Sequence, residues 1–459
     1  MEVRSLKYLT EACGGELIGG SQTTMVSGIS TDSRTIRSGE LFIALKGDKF
    51  DGHNFINNAI EKSAGAVIVE RSLDLFDVGK KCAVIYVNST RKALGDIAQR
   101  YRKDFNIPII AVCGSNGKST TKELIASVLS SRFKVHKSPG SFNNDIGVPI
   151  TLLGLEQGHQ IAVVEVGTNH PGELKPLIEM INPLYGAITG IGREHLGFFG
   201  TMEAVVEEEG TLAEFLPSNG KLFICPNSDW AGSILTRSRA PVITVGLGGT
   251  SNWRASVLRV ELDRIRFFVQ SPTGNFNGEY ELNLTGEHQV TNALLAIAIG
   301  AEFKLTSGEI RRGLKNVSPP AMRMQIQKWR NVYIINDAYN ANPESVAAAL
   351  KTLGKIDCSG KKIAVLGTMA ELGNYTEQSH KEVGELAARL GIDRLIAVGE
   401  FAKLMADTAL KNGLRFVDVC LDVQSAAQCL KSICSNGDVV LIKASRSAKL
   451  EKILEYLNL

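Results

Sequence analysis

One stretch of the chain, "IPIIAVCGSNGKSTTKELIASVL" at residues 107 to 129, limits its fold more than any other. An apolar run ends in a turn with two glycines and a lysine, and the residues after the turn are apolar at helical spacing. A strand, a Gly-rich turn and a helix in that order aim the N–H groups of the turn and of the helix N-terminus at an anion. Gly114, Ser115, Asn116, Gly117, Lys118, Ser119 and Thr120 form the candidate phosphate cradle. Lys118 would reach the outer phosphates and the Ser119 hydroxyl would ligate Mg²⁺. The motif is shortened, since its full form wants Gly five residues before Gly117 and Val112 stands there. A Gly-rich turn with a solvated lysine is the competing explanation.

The rest of the chain falls into three blocks, in keeping with 459 residues at roughly 150 per domain. Residues 1–86 mix short strands and helices, with "GELFIALKG" and "AGAVIVE" as buried strands. "STRKALGDIAQRYRKDF" is an amphipathic helix leading into a second block, 87–316. There "QIAVVEVG", "YGAITGIG", "KLFICPNSD" and "PVITVGL" are apolar runs ending in Gly or polar residues, as in a parallel sheet. "ASVLRVELDRIRFFVQ" alternates with period two and predicts an antiparallel flap. After "NVSPPAMRMQ", a linker, block 317–459 repeats strand and helix through "KKIAVLG", "RLIAVGE" and "DVVLIKAS". The expected fold is α/β with three domains. These are a small α/β N-terminal domain, a central P-loop ATPase-like, mostly parallel sheet with an antiparallel flap, and a C-terminal Rossmann-like domain.

Composition narrows the partners. A net charge of +3 with no basic block gives no reason to expect nucleic acid, and no apolar run approaches the roughly 18 residues of a membrane span. "MEVRSLKYLTEACGG" lacks the apolar core of a signal peptide. The eight cysteines are scattered without a C-x-x-C pair, so free thiols in a reducing cytoplasm are expected rather than structural zinc.

Two further residues sit at strand ends of the same block. Glu165 closes the apolar run "VVEVG", and a buried carboxylate needs a metal or a cation to compensate it; an edge-strand Glu facing water is the alternative. His195 follows another strand end in "TGIGREHLGFFGTMEA", where a structural His is the bland alternative.

In these motifs the chain resembles the Mur ligases, the ATP-dependent amide ligases of peptidoglycan precursor synthesis. "GSNGKSTTKE", "EVGTNHPGEL", "TGIGREHLGFFGTMEA", "GEHQVTNALLAIA" and "NDAYNANPESVAAAL" stand in the order and at the separations of that family. So do "GISTDSRTIRSGELFIALKGDKFDGHNF" at the front and "KASRSAKLEKIL" at the back. "DAYNANPES" and "VLGTMAELG" are similar to the member that adds D-alanyl-D-alanine. The resemblance implies ATP-driven condensation of UDP-N-acetylmuramoyl-tripeptide with D-alanyl-D-alanine through an acyl phosphate, in the cytoplasm; with no obvious interface stripe in the sequence, a monomer is expected. It implies Mg²⁺ as two ions, with Ser119, Glu165 and His195 as ligands; Glu209 is added to the metal set as a hypothesis, on a departure from the family pattern given below. By family position Asn292 contacts the adenine, against a helix-cap or solvent-facing Asn; Arg323 reaches the γ-phosphate and Asp337 holds the ribose, against a surface salt bridge for each. Lys118, His195, Glu209 and Arg323 make up the catalytic set. Asn340 and Asn342 would line the dipeptide side, although a turn-forming Asn before Pro343 competes. Ser30, Asp32, Ser33 and Arg34 would hold the uridine end, against a plain polar turn. Asn143, Asn144, Asn169 and His170 are the remaining substrate-side candidates.

Several positions depart from the family pattern. Gly190 stands where Asn is usual, Gln289 where Asn is usual, Thr368 for a common Asp, and Met322 before Arg323 where Gly is common. Most informative is Glu209. Relatives carry, fourteen residues after the metal-binding His, a Lys that becomes carbamylated, and counting from His195 lands on Glu209. A permanent carboxylate there would substitute for the carbamate. The competing reading makes Glu207, Glu208 and Glu209 a solvated acidic helix face.

Overall fold

Continuous apolar runs become strands buried on both faces, and glycines at their carboxyl ends become turns. The computed structural model describes residues 1–47, 49–70, 82–226 and 230–459. Part of the expected front block (71–81) and the tail of "KLFICPNSD" (227–229) lie outside the described residues. Contacts group the chain into two units: Met1–Ala111 with Phe133–Thr168 and Lys175–Pro183, and Val112–Arg132 with Asn169–Leu174 and Leu184–Leu459.

In the first unit five strands form a sheet in the order Glu16–Gly19, Ala83–Tyr86, Ala66–Val69, Leu41–Ile43, Ile29–Ser30. The first pair is antiparallel and the others parallel. Phe42, Val67, Val69 and Val84 pack with Ile36 and Ile56 as its core. The buried His53 explains "DGH": its Nδ1 meets Asp51 Oδ1 at 2.6 Å and its Nε2 accepts from Glu70 N–H at 3.1 Å. Helix α1 (Thr90–Arg102) is capped by Ser89 and buries Leu94, Ile97 and Tyr101, the face its periodicity predicts. Strands Val135–Lys137 and Ile161–Glu165 pair in parallel.

In the second unit, α2 (Lys118–Leu129) follows the phosphate-loop candidate. Strands Tyr185–Ile188, Lys221–Ile224, Val242–Gly246 and Trp253–Val260 are joined in parallel. Ile265–Gln270 and Gly278–Leu282 then continue antiparallel, with a bulge between Val257 and Arg259, which is the flap that alternation predicts. Short α3 (Leu196–Phe199) leads into α4 (Met202–Phe215), capped by Thr201. Helix α5 (Glu287–Glu302) is buried from Gln289 to Gly300 and packs against α2, as an all-round apolar helix must.

The same unit holds a six-stranded sheet, ordered Gln325–Trp329, Val332–Asn336, Val439–Lys443, Lys362–Leu366, Arg394–Val398, Phe416–Cys420. Only its first pair is antiparallel. Successive residues serve opposite cores. Ala364, Leu366, Leu395 and Leu441 meet α6 (Pro343–Lys355) and α7 (Thr376–Arg389) on one face, and Ile363, Val365, Ile396 and Ile442 fill the other. Each fully buried Leu, Ile or Val side chain here contributes about 1.5–3 kcal/mol. The chain is mixed α/β with mostly parallel sheets, as expected.

Candidate active site

The strand Ile109–Cys113 ends at Gly114, whose φ of +120° and 2.5 Å approach to Thr189 Oγ1 at the Cβ position admit no side chain. The turn is tied down on three sides. Ser115 N–H donates to Gly190 O at 2.8 Å, Thr189 Oγ1 donates to Asn116 O at 2.5 Å, and Ser115 Oγ accepts from Gly192 N–H at 2.9 Å. Gly117 (φ +84°) caps α2, and a Cβ there would lie 2.7 Å from Asn292 Oδ1. Asn292 is therefore neither a helix cap nor solvent-facing. It is buried in α5 under the loop and donates to Gln289 Oε1 at 3.0 Å. Gln289, the departure from Asn, is thereby its orienting partner.

Lys118 turns back over this loop. Its Nζ donates to Gly114 O at 2.7 Å and to Glu194 Oε2 at 3.2 Å. Ser119 and Thr120 are buried at the start of α2. Sequence reasoning passed over Glu194, although it sits directly before His195 in "GREHLG". Against the burial that opposes it, Lys118 and His195 hold its carboxyl below the usual range. His195 has left-handed backbone (φ +55°), with Nδ1 2.5 Å from Glu371 Oε2 and Nε2 3.5 Å from Glu194 Oε1. Burial disfavours the imidazolium, but the two carboxylates push its pKa up to about 9.

The acidic run is not a solvated face. Glu207 is exposed, while Glu208 and Glu209 are buried. Glu209 Oε2 accepts from Gly114 N–H at 2.8 Å, and burial pushes its carboxyl up to about 7. Glu208 accepts from Gly172 and Leu174 N–H, both at 2.7 Å, fixing the segment that carries Asn169 and His170. In that segment His170 meets Glu173 at 3.1 Å and lies against the Phe198 ring. In the first unit Glu165 is fully buried, so it is no water-facing edge residue, and its Oε1 accepts from Asn143 Nδ2 at 3.0 Å. Asn144 Oδ1 accepts from Ile146 and Gly147 N–H at 3.2 and 2.9 Å, a local turn just before the helix Gly147–Leu153. Asp32 and Arg34 form an exposed pair in which Arg34 holds the Asp32 carboxyl down at about 2. Ser30 Oγ donates to Asp32 O at 3.0 Å, and Ser33 is buried beside them.

The expected nucleotide contacts of the last block have protein partners here. The Arg323 guanidinium lies 4.1 Å from the Tyr339 ring centroid, between Met322 and Met324, both of left-handed backbone. Asp337 Oδ2 accepts from Lys443 Nζ at 2.6 Å and Oδ1 from Met324 N–H at 3.1 Å. Lys443, which sequence reasoning also missed, was legible as a cation inside the apolar run "VVLIKAS". Lys443 Nζ also donates to Asn340 O at 3.0 Å. Asn342 Oδ1 accepts from Ser345 N–H at 2.8 Å and caps α6. Its Nδ2 also donates to Asn116 Oδ1 at 2.9 Å. Among the described residues no group of three His, Cys, Asp or Glu could hold a metal, none of the eight cysteines is joined in a disulfide, and no helix is long and apolar enough to cross a membrane.

A nucleotide-type strand–loop–helix beside a half-buried Lys–Glu–His array, with a second doubly wound sheet in the same unit, defines an ATP-dependent ligase fold. Family models agree in chain order: the Mur ligase family catalytic domain at 25–102, the Mur ligase middle domain at 112–300 and the glutamate ligase domain at 322–446. The chain belongs to the Mur ligase family. It is 34% identical, over 99% of its length and 98% of the relative's, to the UDP-N-acetylmuramoyl-tripeptide--D-alanyl-D-alanine ligase of Bacillus subtilis (strain 168). Its structure is similar to MurF from Acinetobacter baumannii (TM-score 0.90, 29% identity, 100% and 99% of the two chains). It is also similar to the MurF ligase of Thermotoga maritima in complex with ADP (TM-score 0.81, 26% identity, 94% and 96%).

Proposed function

We propose that this chain joins D-alanyl-D-alanine to UDP-N-acetylmuramoyl-tripeptide at the expense of ATP. The observation that carries this reading is the full-length likeness to ligases of that activity, together with an intact Gly114–Thr120 cradle. A carboxylate is a poor acyl donor. The tripeptide's terminal carboxylate oxygen attacks the γ-phosphorus, ADP leaves with the bridging oxygen, and an acyl phosphate results. The dipeptide amine then attacks the acyl carbon, forms the amide, gives up a proton and releases phosphate.

The residues divide this work by charge. Backbone N–H groups of the turn and the start of α2 take the phosphates, and Lys118 exchanges Glu194 for the outer ones. Arg323 leaves Tyr339 to neutralise the transferring phosphoryl group, Asn292 meets the adenine and Asp337 the ribose. The Ser119 hydroxyl of the second unit and the buried Glu165 carboxylate of the first are each hard oxygen donors of the kind that suits Mg²⁺. The ion would offset the repulsion between the two reacting anions. His195 and Glu209 are the candidates for a second ion, for which Glu371 and Glu194 would have to release the imidazole. Asn340, Asn342, Asn169 and His170 serve the peptide side, Asn143 and Asn144 support it, and Ser30, Asp32, Ser33 and Arg34 serve the uridine end. The same reading divides the chain at 1–86, 87–316 and 317–459, and makes it a cytoplasmic monomer without a nucleic-acid partner.

Purified chain with ATP, tripeptide substrate ending in either lysine or diaminopimelate, and D-alanyl-D-alanine tests the reading. Steady phosphate release is expected only with both substrates present. Release with neither would replace the ligase by a simple nucleotidase.

A further inference from the structure

The tip of the phosphate loop is part of a closed ring of contacts. Ser115 Oγ accepts from Gly192 N–H at 2.9 Å and donates back to Gly192 O at 3.2 Å. The next residue, Arg193, donates from its N–H to Glu344 Oε2 at 3.0 Å and from Nε to Glu344 Oε1 at 2.7 Å. Its Nη1 donates to Glu382 Oε2, on α7, at 2.8 Å. Glu344 lies in the first turn of α6, whose cap Asn342 donates to Asn116 Oδ1 at 2.9 Å. Asn116 follows Ser115, and the ring is complete.

We propose that Arg193 is a positioning residue of the ligation reaction, coupling the start of α6 to the tip of the phosphate loop. The dipeptide part of this inference rests on the ligase reading above. The physical case is one of charge and geometry. A guanidinium can serve two carboxylates from one plane, which a lysine cannot. The Arg193 side chain is 26% exposed, and those of Glu344 and Glu382 are each 39% exposed, so the pairs are only partly screened. Without that cation Glu344 and Glu382 would face each other as like charges. Glu344 would move away, taking with it the helix start that holds Asn342 on Asn116. Gly192 sits close against both partners, since a Cβ there would lie 3.1 Å from Glu344 Oε2 and 3.2 Å from Asn116 Nδ2, so one of those side chains would have to give. Occupancy at the start of α6 is thus felt by the loop that grips the phosphates, and the reverse holds by linkage.

The test compares wild type, Arg193→Gln, Arg193→Lys, Glu344→Gln and the Arg193→Gln/Glu344→Gln double variant. ADP binding is read by calorimetry, and turnover at varied D-alanyl-D-alanine separates KM from kcat. Arg193→Gln is expected to weaken ADP about tenfold, or ~1.4 kcal/mol, and to raise the dipeptide KM with a smaller change in kcat. Arg193→Lys should recover part of the loss, and the double variant should be no worse than the worse single, because both break one ring. Wild-type ADP affinity and dipeptide KM in Arg193→Gln, or losses that simply add in the double variant, would overturn the proposal. Should Arg193→Gln fail to fold, Glu344→Gln and Arg193→Lys carry the same comparison. A wild-type chain that binds ADP but ligates nothing would refute the ligase reading alone, and the ADP measurements would then decide the ring.

Discussion

His195 and Glu371, 176 positions apart, meet ring to carboxylate at 2.5 Å, and both have left-handed backbone, with φ of +55° and +64°. Such conformations persist in non-glycine residues only where the surroundings over-determine them. Here Gly197 N–H donates to Glu371 O at 2.7 Å, so the two loops fix each other by backbone as well as side chain. Glu371→Gln keeps the shape and loses the charge. A loss of about 1 kcal/mol in urea unfolding without added metal is expected, at the low end for a charged hydrogen bond because Glu371 is half exposed. Unchanged stability would show that the pair is incidental.

Adjacent glutamates on α4 hold different loops, and their variants should separate accordingly. Glu209→Ala leaves Gly114 N–H without its buried acceptor. Such an orphan costs about 1–3 kcal/mol, so a loss of roughly tenfold to a hundredfold in kcat/KM for ATP is expected. Glu208→Ala should instead act through the 172–174 backbone, lowering stability more than ATP use. With a permanent carboxylate at Glu209, wild-type activity is expected to be independent of added bicarbonate. Equal, mild losses in the two variants would remove the special role of Glu209.

Lys443 is 3% exposed and pairs with Asp337. Removing one partner of a buried pair strands the other charge, and Lys443→Ala is expected to destabilise the chain by roughly 3–5 kcal/mol. Denaturant unfolding measures this. A value below about 1 kcal/mol would mean that water reaches Asp337 freely.

His288 supplies a pH dependence. It lines a cavity of about 310 Å³ with Thr352 and Lys351, and burial pushes its imidazole down from 6.5 to about 4. A depressed pKa means that the unfolded chain binds the proton first. The contribution of neutral His288 is therefore fully present above pH 6.5 and lost as pH falls through about 4. Melting temperatures between those limits should fall less steeply in His288→Gln than in wild type. Identical slopes would contradict this.

Much of this was legible in the sequence. Strands stood out because parallel strands are apolar on both faces, as in "KKIAVLG", and the flap because "RIRFFVQ" alternates. The loop could be placed because its chemistry is local. The partners of that loop could not, since Glu194, Glu344 and Glu371 look like surface carboxylates until the fold brings Lys118, Arg193 and His195 to them. Glu208 and Glu209 show the same limit: a run of three glutamates carries no sign of which members turn inward. Asn342 shows a further limit: its side chain caps α6 and also holds Asn116, a contact that depends on the fold and that "YNANP" does not announce.

The central claim is that the Lys118 ammonium, now shared between Gly114 O and Glu194, grips the phosphates of ATP. Lys118→Ala, checked for an unchanged circular dichroism spectrum, should lose about a hundredfold to a thousandfold in turnover with tripeptide, dipeptide and ATP. Full turnover in that variant would contradict the account.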